Sequence, residues 1–271
     1  MRKNYNKIIV LLLSSTSNCA FSQQNSSYPC LIEPMQQVAI GVSVTGVLED
    51  VSVKRGSVVR KGQVLARLSS RVETTSLALA KYKAEQQAAL NLAQHKMAFA
   101  EQKYARRQTM AAEQLMPEQD KNDAEAEFRL AQAEYQLAQE NRQLARYEYQ
   151  QQQAQLDLRT VRSPLNGVVV EQNAHVGEVV EANSNAKAIV KLAQLDPLRV
   201  QVILPQRDWG QFKVGQQVEV TPELPLTGRY TAKIKTIDKV LDAASGSFVV
   251  FLELPNPHLN IPAGMRCQAR F

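Results

Sequence analysis

Three histidines, three cysteines and 26 carboxylates are the residues of this 271-residue chain whose types lend themselves to chemistry. Metal-assisted or nucleophilic catalysis needs such groups brought together at short spacings, two histidines one helical turn apart or cysteines in close pairs. Neither spacing occurs. His95, His175 and His258 stand alone, and no Cys/His pair has ligand spacing. The carboxylates are scattered through helix-like sequence, alternating with Lys and Arg as on a solvated face. Gly41 and Gly46 lie in strand-like sequence with no helix start behind them, so no phosphate-cradling loop is expected. The expectation is a protein that is not an enzyme and takes no cofactor or metal.

Cysteine chemistry remains. The N-terminus carries Arg2, Lys3 and Lys7, then the apolar run Ile8–Leu13, then small and polar residues. This is the form of a secretory leader, and the run is too short to span a bilayer. Ala20-Phe21-Ser22 fits a cleavage site between Ser22 and Gln23. Cys19 raises lipid attachment, but Thr16-Ser17-Asn18 before it lack the aliphatic and small residues that such a site wants. Export into an oxidising compartment leaves Cys30 and Cys267 either as a bridge from the first strand to the last or as two separate buried thiols.

Charge excludes another class. The formal charge is +6, and removing the three leader cations leaves about +3. Basic residues form no single-sign patch, so no nucleic-acid partner is expected.

The glycines show what positions these residues. None lies between Gln63 and Asn166, a stretch holding only Pro117 and Pro164. Gly and Pro punctuate turns and weaken helices, so the chain reads as turn-rich, helical, turn-rich. The turn-rich ends repeat each other. Residues 46–59 read GVLEDVSVKRGSVV and residues 167–180 read GVVVEQNAHVGEVV. Alternating β-branched residues predict short strands, with turns at Gly56, Gly62 and Gly177. Two similar halves predict one small β-domain split by an insertion.

The insertion is predicted as a hairpin of two helices, 72–115 and 118–158, each about 60 Å long, with its tip near 113–120. Pro117 suits a helix start, and Glu118 and Asp120 suit the dipole there. Leu90, Met97, Tyr104 and Ala111 recur every seven residues, and Phe128, Tyr135, Tyr149 and Leu156 answer them, broken only by Arg142. Alanines three positions on predict close helix axes. Leu130, Leu137, Leu144 and Leu158 form a second stripe on the opposite face of the second helix. That stripe suits packing against a neighbouring hairpin, and also suits a loosely amphipathic helix with some apolar exposure. From residue 195 onward short strands and Pro/Gly turns predict a small β-barrel, with a short helix at 206–212 and Trp209 as a core anchor.

The arrangement as a whole resembles the periplasmic adaptor, or membrane fusion, proteins, HlyD-like and of the RND efflux type. The residues that carry it are Ser43–Leu68, Leu158–Val180 and Asp242–Phe271, above all LPNPHLNIPAGMRCQARF. The resemblance implies an elongated, modular α+β fold: a split lipoyl-like (barrel-sandwich hybrid) domain, a coiled-coil hairpin and a β-barrel. The expected divisions are 1–22 leader, 23–70 first half, 71–158 hairpin, 159–194 second half and 195–271 barrel. It also implies a hexamer in the periplasm of a Gram-negative bacterium. The partners would be an inner-membrane transporter of RND or ABC type and an outer-membrane channel. In the family the tip commonly carries Arg, Leu four positions on and Ser seven beyond; Arg106, Met110 and Pro117 stand there here, with Gln114 between, as the expected channel contact. Many members continue into a membrane-proximal domain; ending at Phe271 implies a short form, or another subunit supplying that layer. Flexion near Ser69–Val72 and Thr160–Pro164 is expected to transmit transporter motion. Two rivals follow from the same residues. A biotin or lipoate carrier would need a lysine on the turn that the hairpin replaces. A structural coiled-coil envelope protein would need neither the split repeat nor the barrel.

Overall fold

The structure, a computed structural model, describes residues 27–182 and 188–271. The leader, with Cys19, Ser22 and Gln23, lies outside the described residues. Among the described residues twelve strands and three α-helices follow in order. β1 is Ser27–Ile40, β2 Gly46–Val51, β3 Val58–Val59 and β4 Val64–Leu68. Then come α1, Arg71–Glu85, α2, Ala88–Ala112, and α3, Glu118–Asp157. β5 is Thr160–Arg162, β6 Gly167–Gln172, β7 Val179–Val180 and β8 Val190–Pro205. β9 is Gln217–Pro222, β10 Tyr230–Ile237, β11 Ser247–Leu254 and β12 Met265–Arg270. They form two compact units: Pro34–Leu198 with Asn256–Asn260, and Arg199–Pro255 with Ile261–Phe271 and residues 27–33.

In the first unit the two halves of the repeat complete each other. β2 pairs with β7, Gly46 opposite Val180 and Val47 opposite Val179. β3 pairs with β6, Val59 opposite Gly167 and Val58 opposite Val168. Each pairing is the other with the halves exchanged. The turns obey the same exchange: Gly56 N–H donates to Val169 O at 2.8 Å, and Gly177 N–H donates to Leu48 O at 2.8 Å. Gly56 and Gly177 have φ of 87° and 90°, where an L side chain is strained. Leu48 and its counterpart Val169 are 1% exposed and share one core with Leu65, Leu68, Leu165 and Leu192. A half on its own would leave that apolar face wet.

The hairpin turns between Ala112, where α2 ends, and Glu118, where α3 begins. Ala93, Ala100, Ala124 and Ala131 are buried between its helices, and the Tyr104 and Phe128 rings stack at 6.1 Å. Lys103–Glu127 at 2.5 Å and Lys96–Glu134 at 3.4 Å cross from α2 to α3. Exposed pairs of this kind contribute well under about 1 kcal/mol each, so the seam holds through packing. One expectation fails here: the first helix is not continuous over 72–115. It stops at Glu85 and restarts at Ala88, Gln86 taking extended backbone at ψ 131°. Neither Gly nor Pro marks the spot; the break lies opposite the row that Arg142 interrupts.

The second unit is the barrel. β12 pairs with β1 and β9, β9 with β10, and β10 with β11; the sheet order continues to β8, which also pairs with β1. Strict alternation carries the core: Phe248, Val250, Leu252 and Leu254 are buried on β11, and Val200, Val202 and Leu204 on β8. The start of β1 thus belongs to the barrel, Ser27–Ile32 lying against Met265–Arg270. Cys30 faces Cys267 in that register, and the two are joined as a disulfide with Cα atoms 4.8 Å apart. Two smaller expectations are corrected. The helix at 206–212 is only a single 3₁₀ turn, Gln206–Asp208. Trp209 is 41% exposed; its ring lies edge-on over Phe248 at 4.9 Å and covers the core rather than filling it.

Candidate functional site

The tip is built by helix capping. α2 ends at Ala112, and Gln114 takes φ 58°, a left-handed conformation. Gln114 N–H donates to Ala111 O at 3.0 Å and Leu115 N–H to Met110 O at 2.9 Å. This is a Schellman cap, which ends a helix by satisfying its last carbonyls. It sets Met110 and Leu115 at the two positions whose side chains such a cap associates; they are 43% and 66% exposed. Leu115, which the sequence analysis does not single out, shares the tip with Met110, and the helix-stop pattern is the signal that finds it. Pro117 stands one position before α3 rather than inside its first turn, with φ −62°. Arg106, Met110, Gln114 and Pro117 are all exposed. The neighbouring Arg107, not Arg106, ties the two helices, donating to Asp120 O at 3.0 Å.

The flanks carry the second stripe. Leu130, Leu137 and Leu144 are 63%, 57% and 57% exposed. α2 has a matching stripe that the sequence reading passes over: Leu92 and Phe99, also exposed, stand two positions past Leu90 and Met97. Two positions turn a helix by about 200°, so each stripe points away from the seam. Because α2 and α3 run antiparallel, the two small offsets from 180° tilt both stripes toward the same side of the hairpin. The result is a wedge with apolar flanks.

The base joins hairpin and β-domain. Arg159, just past α3, pairs with Glu73 in the first turn of α1 at 2.5 Å and donates to Thr45 O at 3.1 Å. Both side chains are about four-fifths buried, at 22% and 18% exposure. Leu68 N–H donates to Arg159 O at 2.8 Å, and Ser69 N–H to Val47 O at 2.9 Å. The first predicted flexion point, Ser69–Val72, thus sits between two backbone bonds, at Leu68 and Ser69, and the Arg159–Glu73 pair.

His95, His175 and His258 are all exposed, and no group of three His, Cys, Asp or Glu is placed to hold a metal among the described residues. Shifted titrations there belong to surface pairs. Glu118 beside Lys121 raises that ammonium, and Lys191 beside Glu171 holds the carboxyl below its usual range. No helix among the described residues is long and apolar enough to cross a membrane.

Residues 36–191 match the family model described as CzcB-like, barrel-sandwich hybrid domain. The chain is 29% identical over 209 residues to the pyoverdine export membrane fusion protein PvdR of Pseudomonas aeruginosa, covering 76% of this chain and 53% of that one. It is 27% identical over 240 residues to the macrolide export protein MacA of Escherichia coli O157:H7, covering 84% and 62%. It therefore spans between half and two-thirds of the length of these relatives. The crystal structure of MacA from Actinobacillus actinomycetemcomitans superposes with a TM-score of 0.73 at 25% identity, over 91% of this chain and 78% of that one. Split barrel-sandwich domain, inserted hairpin and closing barrel all coincide with that fold, and the chain belongs to the CzcB-like barrel-sandwich hybrid family of membrane fusion proteins.

Proposed function

We propose that this chain is the periplasmic adaptor subunit of a tripartite efflux or secretion system in a Gram-negative envelope. It bridges an inner-membrane transporter of RND or ABC type and an outer-membrane channel, and does so without catalysis. The observation that carries this reading is the wedge-shaped hairpin with apolar stripes on both flanks. An exposed apolar stripe on a soluble hairpin is costly unless it is covered. The α3 flank of one copy, with Leu130, Leu137 and Leu144, meets the α2 flank of the next, with Leu92 and Phe99. Such a head-to-tail contact repeats until it closes a ring, and the family points to six copies. The ring then holds the tips together, presenting Arg106, Met110, Gln114, Leu115 and Pro117 as one crown toward the channel.

The test is crosslinking in intact envelopes with a photoreactive residue at position 106 or 114. Capture of an outer-membrane channel is expected. Capture of this chain alone would keep the ring and remove the channel, favouring a structural coiled-coil role. Solution mass with Leu130, Leu137 and Leu144 changed to Gln tests the ring itself: the variant is expected to run as a folded monomer, and an unchanged assembly overturns the flank contact.

A further inference from the structure

About a third of the way from base to tip, at the break at Gln86–Gln87, a cleft of about 460 Å³ lies between the first helices and α3. Sharp interruptions of a helix have identifiable causes, and the usual ones, Gly and Pro, are absent from this stretch. The sequence around the break, Lys83-Ala-Glu-Gln-Gln-Ala-Ala89, consists of good helix formers. The residues facing the break lie across the seam. The α3 row Phe128, Tyr135, Tyr149, Leu156 holds Arg142 at the one place where an apolar side chain is due, and Arg142 lines the cleft.

The polar groups of that lining are unbalanced. Lys83, Lys96 and Arg142 supply three cations, and Glu134 is the one carboxylate among the lining residues. Glu134 is already engaged by Lys96 at 3.4 Å. Lys83 and Arg142 have no ion pair or side-chain hydrogen bond among the described residues, and Arg142 Nε is buried with no acceptor. A buried guanidinium N–H is nearly always matched in a folded protein. Arg142 Nε has no acceptor among the described residues, and the side chain that carries it lines the cleft.

We propose that this cleft is an anion-binding site whose ligand is a small molecule bearing a phosphate or carboxylate group, held by Arg142 with Lys83. Guanidinium is the side chain whose planar fork fits these oxyanions, and Lys83 adds a point charge. The volume exceeds that of a bare phosphate and suits a small organic anion. Arg142 and Lys83 belong to one chain, while the rim lies beside the flanks that the assembly proposed above would cover. Its apolar rim includes Leu92 and Leu137 from the two flank stripes.

Calorimetric titration of the full chain with inorganic phosphate, and separately with succinate, tests the site against chloride at equal ionic strength. At least one of the two probes is expected to bind saturably, one per chain. Arg142→Gln should weaken that binding at least tenfold, Arg142→Lys less, and Lys83→Gln by about threefold. The Arg142 Nε–H resonance should move along the same isotherm. Far-UV circular dichroism of each variant confirms that the hairpin is folded. No saturable binding of either probe, or equal binding by wild type and a folded Arg142→Gln, overturns the proposal.

Discussion

Gly46 and Gly167 occupy exchange-related positions in the split domain, yet adding a methyl group to each should have unequal effects. A Cβ at 167 would stand 2.4 Å from Ala193 O and 2.8 Å from Leu165 Cδ1. Carbon contacts are comfortable at about 3.5 Å, so the backbone must open by about 1 Å. It must open where Val168 pairs with Ala193 and Val169 with Leu192. Overpacking costs about 1–3 kcal/mol and each loosened ladder bond about 1 kcal/mol, so Gly167→Ala should lose about 2–4 kcal/mol. A Cβ at 46 would meet Arg159 Nη1 at 2.7 Å, the far end of a long side chain. That end can swing away, giving up its bond to Thr45 O, at about 1 kcal/mol. For a domain of this size the melting transition should fall by about 5–15 °C for Gly167→Ala and about 2–4 °C for Gly46→Ala. Scanning calorimetry reads both, and hydrogen exchange over 167–172 should accelerate only in the first variant. Equal losses, or a larger loss at Gly46, would refute the assignment of the clash to the Ala193 carbonyl.

Other consequences are open to direct measurement. The Cys30–Cys267 bond closes 237 residues, and chain entropy assigns such a loop about 5 kcal/mol. Reduction should therefore lower the urea midpoint of Trp209 fluorescence, which reports the barrel, by at least about 1 M; an unmoved midpoint counts against the bond. Gln114→Gly should stabilise the hairpin by about 0.5–1 kcal/mol, because glycine adopts the left-handed cap without strain; a loss on thermal melting would contradict the cap. The Ser245 hydroxyl and the Ala244 amide donate to Asp242, at 2.7 and 2.9 Å, and hold its carboxyl below the usual range. This turn's contribution is present above the unfolded carboxylate value of about 3.9 and disappears as pH falls through the lower folded value. An NMR titration should find that low midpoint, and Ser245→Ala should raise it; equal midpoints would exclude the bond. Arg159→Met should loosen the hairpin base by about 1–3 kcal/mol, seen as faster exchange at Leu68 and Ser69; unchanged exchange would mean the brace is idle.

The split domain was legible because its residues encode it twice: the same Gly-Val and Gly-x-Val-Val spacings on either side of a glycine-free insertion. The seam was legible because a seven-residue apolar period admits few other structures. The break at Gln86 was not, since helix propensity there is high and the row interruption it faces, Arg142, sits on another helix. Trp209 misled for a related reason: its size suggests burial, but the short turn holding it leaves one face to solvent. Leu92 and Phe99 were readable in the same phase as Leu90 and Met97, shifted by two, and were missed because α2 shows only two members of that row. The disulfide was half legible, for two cysteines near the ends of a chain fix no partner until strand register sets them opposite each other.

The exchange-related pairing of the two halves also bears on how the chain acquires its fold. Gly46 finds Val180, and Val59 finds Gly167, only after the whole helical insertion has been spanned. Contacts so distant in sequence form slowly, because a long loop must close before any contact rewards it. The hairpin is made of local contacts and folds on a faster clock. Once zipped, it delivers Arg67 beside Thr160, where β4 meets β5, and shrinks the loop left to close to a few residues. The insertion that interrupts the β-domain in sequence thus acts as the template that assembles it. Weakening the seam should delay the sheet, while lengthening both helices by whole heptads should leave its rate nearly unchanged.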